Sequence, residues 1–458
     1  MEELLYKQKN LFDTMSEEMK QEAHVYCEGY KTFLDRGKTE RTCVRYAIEL
    51  AEAAGFVEYY NGADIKSGKK FYVNNRNVAL YLTVIGKEPL SKGLNIAAAH
   101  IDSPKLDLKP LPLYEDSEFA LFKTHYYGGL RKHQWVTVPL SLHGVVITRE
   151  GETVEIAIGD DPADPCFTIT DLLPHLSKDQ NKKTLSESFS GEGLNVLIGS
   201  EPWAGDGDKD RVKLGILRIL HERYGITEED FLSAELTFVP AYPARDVGLD
   251  RSLIGAYGQD DRACAYAALQ ALFEIEVPEK TAIVALADKE ETGSDGVSGM
   301  KSHAFERFVD DLCTKQDTKL THSFANSFCL SMDISNGFDP NYPEVSEKRN
   351  SAKLNYGVSV LKYTGARGKG GTSDASAETV GKLRRVFDKA GVTWQMAELG
   401  KVDQGGGGTV AMYMAERNID TIDAGIPLLS THAPFEIAAK ADCYMAYKAA
   451  LALFQEME

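Results

Sequence analysis

The stretch "TAIVALADKEETGS", residues 281–294, holds an apolar run followed by two adjacent glutamates. Thr281–Ala287 is short, with small or branched side chains, and reads as a buried strand. Glu290 and Glu291 stand just past its end. Burying a carboxylate there is costly unless it is paired or binds a metal. Neighbouring side chains point in different directions, so the two glutamates can do different work. One can hold a cation while the other moves a proton.

The same texture recurs on either side. "GLNIAAAHID" (93–102), "SFCLSMDI" (327–334) and "NIDTIDAGI" (418–426) are apolar runs that end on polar residues. The segment "DRACAYAALQALFEI" (261–275) has helical character. Strands alternating with helices imply an α/β fold with a mixed, mainly parallel sheet covered by helices on both faces. Ligands of such sheets bind outside the carboxyl ends of the strands. Between about 105 and 236 the texture changes. "WVTVPLSLHGVVITREGETVEIAIGD" (135–160) alternates like antiparallel strands with a turn at "REGET", and a loop-rich stretch follows it. The expected organisation is a discontinuous domain, 1–104 and 237–458, interrupted by a β-rich insertion at 105–236.

Metal-capable residues gather at the predicted strand ends. They are His100 and Asp102 in "AAAHIDSP", Asp260 and Asp261 in "GAYGQDDRA", Glu290 and Glu291, Asp333 in "SMDIS", and His432 in "LLSTHAPFE". Singly each is weak: a His-x-Asp is more often structural, and paired acids at a helix start ordinarily serve the helix dipole. Together, two histidines and several carboxylates make a donor set typical of zinc. A carboxylate shared by two cations would give a dinuclear site, with the metals about 3.5–4 Å apart. Such a site lowers the pKa of a bound water, whose proton an unligated glutamate can take.

The order and wording of these segments resemble the aspartyl aminopeptidase family of dinuclear zinc exopeptidases. The resemblance runs from "AAHIDSP" through "GQDDRACAYAALQAL", "ADKEETGS" and "SMDI" to "STHAPFE", and includes the inserted domain. It implies two divalent metals per subunit, zinc foremost, with cobalt and manganese as alternatives. Carried over by motif, His100 ligates one metal with Asp102 orienting its imidazole, Asp260 bridges both metals, and Glu290 is the general base. Glu291 is a terminal ligand, Asp333 completes the metal held by His100, and His432 completes the metal held by Glu291. The resemblance also places Lys353, in "SAKLN", near an acidic first side chain of the substrate. His175, in "LLPHLS", falls in a loop that reaches a neighbouring subunit's active site. Two positions depart from the family pattern: Asp179 and Asn336 stand where histidines are common. The implied assembly is a homo-oligomer of dimers closed into a tetrahedral dodecamer, acting on peptides and preferring acidic N-termini.

Composition narrows the alternatives. A formal charge of −18 argues against non-specific binding to nucleic acid. No stretch approaches the roughly 20 apolar residues needed to span a bilayer. Seven scattered cysteines without a CxxC suit reduced thiols, and the charged N-terminus lacks a signal-peptide core, so a cytoplasmic location is expected. "DQGGGGTVAMYMA" (403–415) lacks the P-loop ending and is read as a glycine turn where backbone approaches substrate. His133, His143, His221 and His303 are read as structural or surface residues. A related dinuclear-zinc carboxypeptidase or amide deacylase, and a non-catalytic metal-stabilised assembly protein, are the competing readings. An unligated glutamate at position 290 argues against the last, because a structural site needs no base.

Overall fold

The computed structural model describes residues 4–205 and 209–457. Its strands, in chain order, begin with β1 (Val57–Glu58), β2 (Lys70–Asn75), β3 (Ala79–Val84) and β4 (Leu94–His100). There follow β5 (Lys105–Asp116), β6 (Phe119–Tyr127), β7 (Leu140–Ile147), β8 (Thr153–Ile158), β9 (Val196–Gly199) and β10 (Ala234–Pro240). The next five are β11 (Arg245–Val247), β12 (Leu253–Ala256), β13 (Thr281–Ala287), β14 (Phe328–Ser331) and β15 (Ser335–Asn336). The last are β16 (Val358–Leu361), β17 (Trp394–Met396), β18 (Asp420–Gly425), β19 (Pro427–Leu429) and β20 (Glu436–Ala439). Two compact units result. One comprises the residues up to Asp102, Ala244–Thr431 and those from Glu436 onward; the other comprises Ser103–Pro243 with His432–Phe435.

The first unit is built on a nine-stranded sheet of order β1-β2-β3-β13-β4-β14-β18-β16-β17. At its centre β13, β4, β14 and β18 run parallel, while β3 and β16 pair antiparallel to this group. Period-two alternation sends the side chains of the central strands into two separate cores. Ala282, Val284 and Leu286 of β13 and Ala97 and Ala99 of β4 face one core, with Tyr30, Phe33, Ala268, Ala450 and Phe387 from helices. Ile283, Ala285 and Ala287, with Ile96 and Ala98, face the other, against Phe305, Phe308, Leu312 and Met414. Both faces are therefore covered, which is why β4 and β13 are mostly apolar and do not alternate with polar residues. The mixed α/β architecture agrees with the expectation from sequence. A smaller sheet, β11-β12-β20-β19-β15, belongs to the same unit.

The second unit holds a six-stranded sheet, β8-β7-β10-β5-β6-β9, in which every neighbouring pair is antiparallel. The turn at "REGET" joins β7 to β8, with Leu142 opposite Ile158 and Ile147 opposite Thr153. The unit also contains a helix, Arg211–Tyr224, closed by Gly225 in the left-handed conformation with its N–H donating to His221 O. Among the described residues, no helix is long and apolar enough to cross a membrane.

One charge is carried deep in the first unit. Asp423 of β18 lies opposite Ser331 of β14 and is buried. Burial pushes its carboxyl up to about 6, against the opposing hydrogen bonds from the hydroxyls of Ser331 and Thr409. Its pKa is raised above the unfolded value, so its share of stability is full below about pH 4 and is lost as pH rises through 6. The wild type is expected to lose on the order of 3 kcal/mol relative to an Asp423→Asn variant between pH 4 and 7. Denaturant unfolding of both at each pH measures the difference, and parallel curves would contradict it.

Candidate metal centre

Register brings the ends of three parallel strands level. Ala287 of β13 lies opposite His100 of β4, and Ser331 of β14 opposite Ala98. The chain leaving each strand therefore delivers its polar residues to one edge: Glu290 and Glu291, His100 and Asp102, and Asp333. The helix Gln259–Phe273 supplies Asp260 and Asp261 from its first turn. Both acids have non-helical backbone angles, so the regular helix starts after them. Asp261 Oδ2 instead accepts from His100 N at 3.3 Å, and Asp260 N donates to Glu436 Oε2 at 3.1 Å.

Asp102 is the organising residue of this edge. Fully buried, it accepts from Glu290 N and Glu291 N, each at 3.1 Å, one on each carboxylate oxygen. The first N–H groups of a helical turn lack partners within it, and here Asp102 supplies them. The turn it holds, Glu290–Thr292, is bounded by left-handed Lys289 and Gly293. The ring of His100 lies between these groups, with Nδ1 at 3.0 Å from Asp102 O and 3.4 Å from Asp102 Oδ1. That contact leaves Nε2 facing Asp260 Oδ1 at 3.2 Å, Asp333 Oδ1 at 3.8 Å and Glu290 Oε2 at 3.9 Å.

Two ligand groups share this imidazole: His100 with Asp261 and Asp333, and His100 with Asp260 and Glu291. In each, the ligand atoms lie within 4.8 Å of one another, a spacing one cation can span. The electrostatics demand positive charge. At about 4 Å, two unit charges interact by about 4 kcal/mol at the effective dielectric of such sites. Burial, and then the charges of Asp261, Asp260 and Glu290, push Asp333 well above the usual carboxylate range, with His100 opposing. Asp261 is raised chiefly by burial, with Asp260 adding to it. Burial alone would lower His100, but its hydrogen bonds to Asp102 and Asp260 and the charges of Asp333 and Glu290 outweigh that and raise it. One imidazolium cannot balance this many carboxylates. A histidine nitrogen with several carboxylate oxygens is the donor set of zinc.

Three further sequence candidates have these surroundings. Lys353 is set by Gln395, which exchanges hydrogen bonds with its backbone at 2.9 and 2.8 Å, and its ammonium lies 5.2 Å from the centre of the Tyr356 ring. His432, in the second unit, has its Nδ1 2.6 Å from Gly129 O of the same unit. His175, also in the second unit, is exposed in the turn Pro174–Leu176. Within the glycine run, a side chain at Gly405 would strike Leu399 O at 1.8 Å, and one at Gly406, with φ +116°, would strike Gly365 O at 1.8 Å. The close approach that requires these glycines is to the chain's own backbone.

Asp261 and Glu436 are the polar members of the centre that sequence reasoning did not assign. The adjacency of Asp261 to Asp260 was its signal. A further signal is Gly425 at the end of β18, where a Cβ would lie 1.9 Å from Asp333 O.

Residues 33–454 match the sequence pattern of the family described as aminopeptidase I zinc metalloprotease (M18). The chain belongs to that family. This M18 chain is 49% identical over 450 residues to a probable M18 family aminopeptidase 1 of Clostridium acetobutylicum, with 96% of the one and 97% of the other covered. The crystal structure of an M18 aminopeptidase from Thermotoga maritima matches it with a TM-score of 0.95 at 45% identity, over 99% of this chain and 100% of that one. A more distant structure, of the S. cerevisiae mApe1 dodecamer, matches at a TM-score of 0.77 and 20% identity, over 95% and 98% of the two chains, and shares the fold.

Because Asp102 fixes both the His100 ring and the Glu290–Glu291 turn, Asp102→Ala is expected to weaken zinc binding by about 10–100-fold. Chelator competition measures this, and an unchanged affinity would show that the turn holds without it.

Proposed function

We propose that this M18 zinc metalloprotease is an aminopeptidase that releases N-terminal residues from peptides, using two divalent cations per subunit and Glu290 as general base. The observation that carries the reading is the gathering of His100 with Asp260, Asp261, Glu291 and Asp333, beside a glutamate that is not wholly enclosed. Glu290 has a side chain 17% exposed, against 2% for His100 and 5% for Asp260. It borders the ligands yet can reach a solvent molecule.

His100 and Asp333 would hold one cation and Glu291 the other, with Asp260 as the ligand they share; on the resemblance of "STHAPFE", His432 would complete the cation held by Glu291. Bound there, the cations supply Lewis acidity toward a carbonyl and acidify a water. Glu290 takes the proton of the attacking water and passes it to the leaving amine. Asp102 keeps Glu290 in place through the backbone bond at residue 290. Lys353 would select acidic first residues by a charge-assisted pair, worth roughly 1.5–3 kcal/mol, on leaving its cation–π contact with Tyr356.

A homo-oligomer is the proposed working form, with dimers closing into a dodecamer. Leu172, Leu173 and Leu176 are 51%, 50% and 67% exposed around His175, an apolar patch of the kind that marks an interaction surface. The antiparallel sheet of the inserted unit also ends on β8, an edge strand that a partner can cover.

A panel of peptides differing in their first residue tests the reading. Glu290→Gln should keep its zinc and lose about 10²–10⁴ in kcat; turnover near that of the wild type would remove Glu290 as the base. Lys353→Ala should depress cleavage of Asp- and Glu-terminated peptides more than of Leu- or Ala-terminated ones, and an equal loss across the panel would refute its selective role. A fully active species near 50.5 kDa in light scattering would refute the oligomer.

A further inference from the structure

The first unit carries a second site that the metal chemistry does not use. A surface pocket of about 590 Å³ opens between the β2–β3 hairpin and the helix Ala304–Lys315. This is within the range of small-molecule sites and ample for one amino acid. None of the metal-centre residues lines it.

Its floor is aromatic. Tyr81 stacks on Phe308 at 10° between ring planes, and Tyr59 meets Phe308 edge-on at 75°. The Tyr59 hydroxyl is buried without a hydrogen-bond partner. Arg76 on the hairpin, and Arg307 and Asp311 one turn apart on the helix, complete the lining used here. Among the described residues these three side chains make no ion pair, and the guanidinium of Arg76 bonds only the amide oxygen of Asn75, at 2.7 Å. Two guanidinium groups and one carboxylate thus surround an aromatic base with their charges unspent. Guanidinium groups recognise a carboxylate through paired N–H donors, Asp311 suits an ammonium, and the rings suit an apolar body.

We infer that this pocket binds a free α-amino acid with an apolar or aromatic side chain: carboxylate on Arg76 and Arg307, ammonium on Asp311, side chain on Tyr59, Tyr81 and Phe308. On the proposed function this is the class of product the enzyme releases. Val297 and Ser302 of the pocket wall follow the Glu290–Thr292 turn in the chain.

Calorimetric titration of the zinc-loaded full-length protein with L-phenylalanine tests the inference. Arg307→Ala and Asp311→Asn, both surface changes remote from the metal centre, should each weaken one binding event tenfold or more. Competitive product inhibition at the metal centre should keep its constant. L-Phenylalaninamide, which lacks the carboxylate, and 3-phenylpropanoate, which lacks the ammonium, should both bind the pocket at least tenfold more weakly than L-phenylalanine. Identical isotherms for wild type and both variants would overturn the inference, as would 3-phenylpropanoate binding as tightly as the amino acid. The isotherm does not depend on turnover, so failure of the aminopeptidase reading, seen in the peptide panel, is read separately.

Discussion

Mutual repulsion among carboxylates gathered around one buried imidazole is the constraint to which the rest of the first unit answers. Asp260, Asp261 and Asp333 are buried beside His100, with Glu290 and Glu291 at the rim. At a few kcal/mol per close pair, this repulsion is comparable with the whole stability of a domain. Such a cluster persists in a native fold when cations repay it. The parallel strands β4, β13 and β14, buried on both faces, provide a base from whose ends His100, Asp102, Glu290, Glu291 and Asp333 project.

Asp102 shows how that base is converted into a defined arrangement. Its two oxygens reach the backbone of residues 290 and 291, while its carbonyl and one carboxylate oxygen border the His100 ring. A candidate metal ligand and the turn carrying the proposed base are therefore tied to one residue. The family's zinc chemistry needs this fixity, because a ligand displaced by an ångström loses both affinity and orientation.

Much of this was legible in the chain. "TAIVALA" reads as a strand because no position in it is polar enough to face water, and β13 spans those seven residues. The strand-end residues of "AAAHID", "KEET" and "SMDI" were found for the same reason: an apolar run that stops on an acid or histidine advertises a strand terminus. Asp261 was gathered with the candidates but given no role, because adjacent acids at a helix start have an ordinary explanation and the departure of residues 260 and 261 from helical angles has no local signature. The helix Arg211–Tyr224 escaped for a different cause. Only Val212 and Leu220 of its residues are buried, so its apolar stripe is faint, and Gly215 interrupts it. The glycine run illustrates a third limit, since crowding by Leu399 and Gly365 comes from segments that sequence alone does not place.

The position of the insertion has a consequence for biosynthesis. It leaves the first unit directly after Asp102 and returns at Ala244. Ser103–Pro243 is nearly self-contained, lacking only four late residues, and a growing chain folds its completed units first. His100 and Asp102, by contrast, must wait for Asp260, Asp261, Glu290 and Glu291, and then for Asp333, to leave the ribosome. Until residue 260 is made, the imidazole has none of its carboxylate partners from later in the chain. The candidate centre is consequently complete only late in synthesis, after the whole of the insertion has been made.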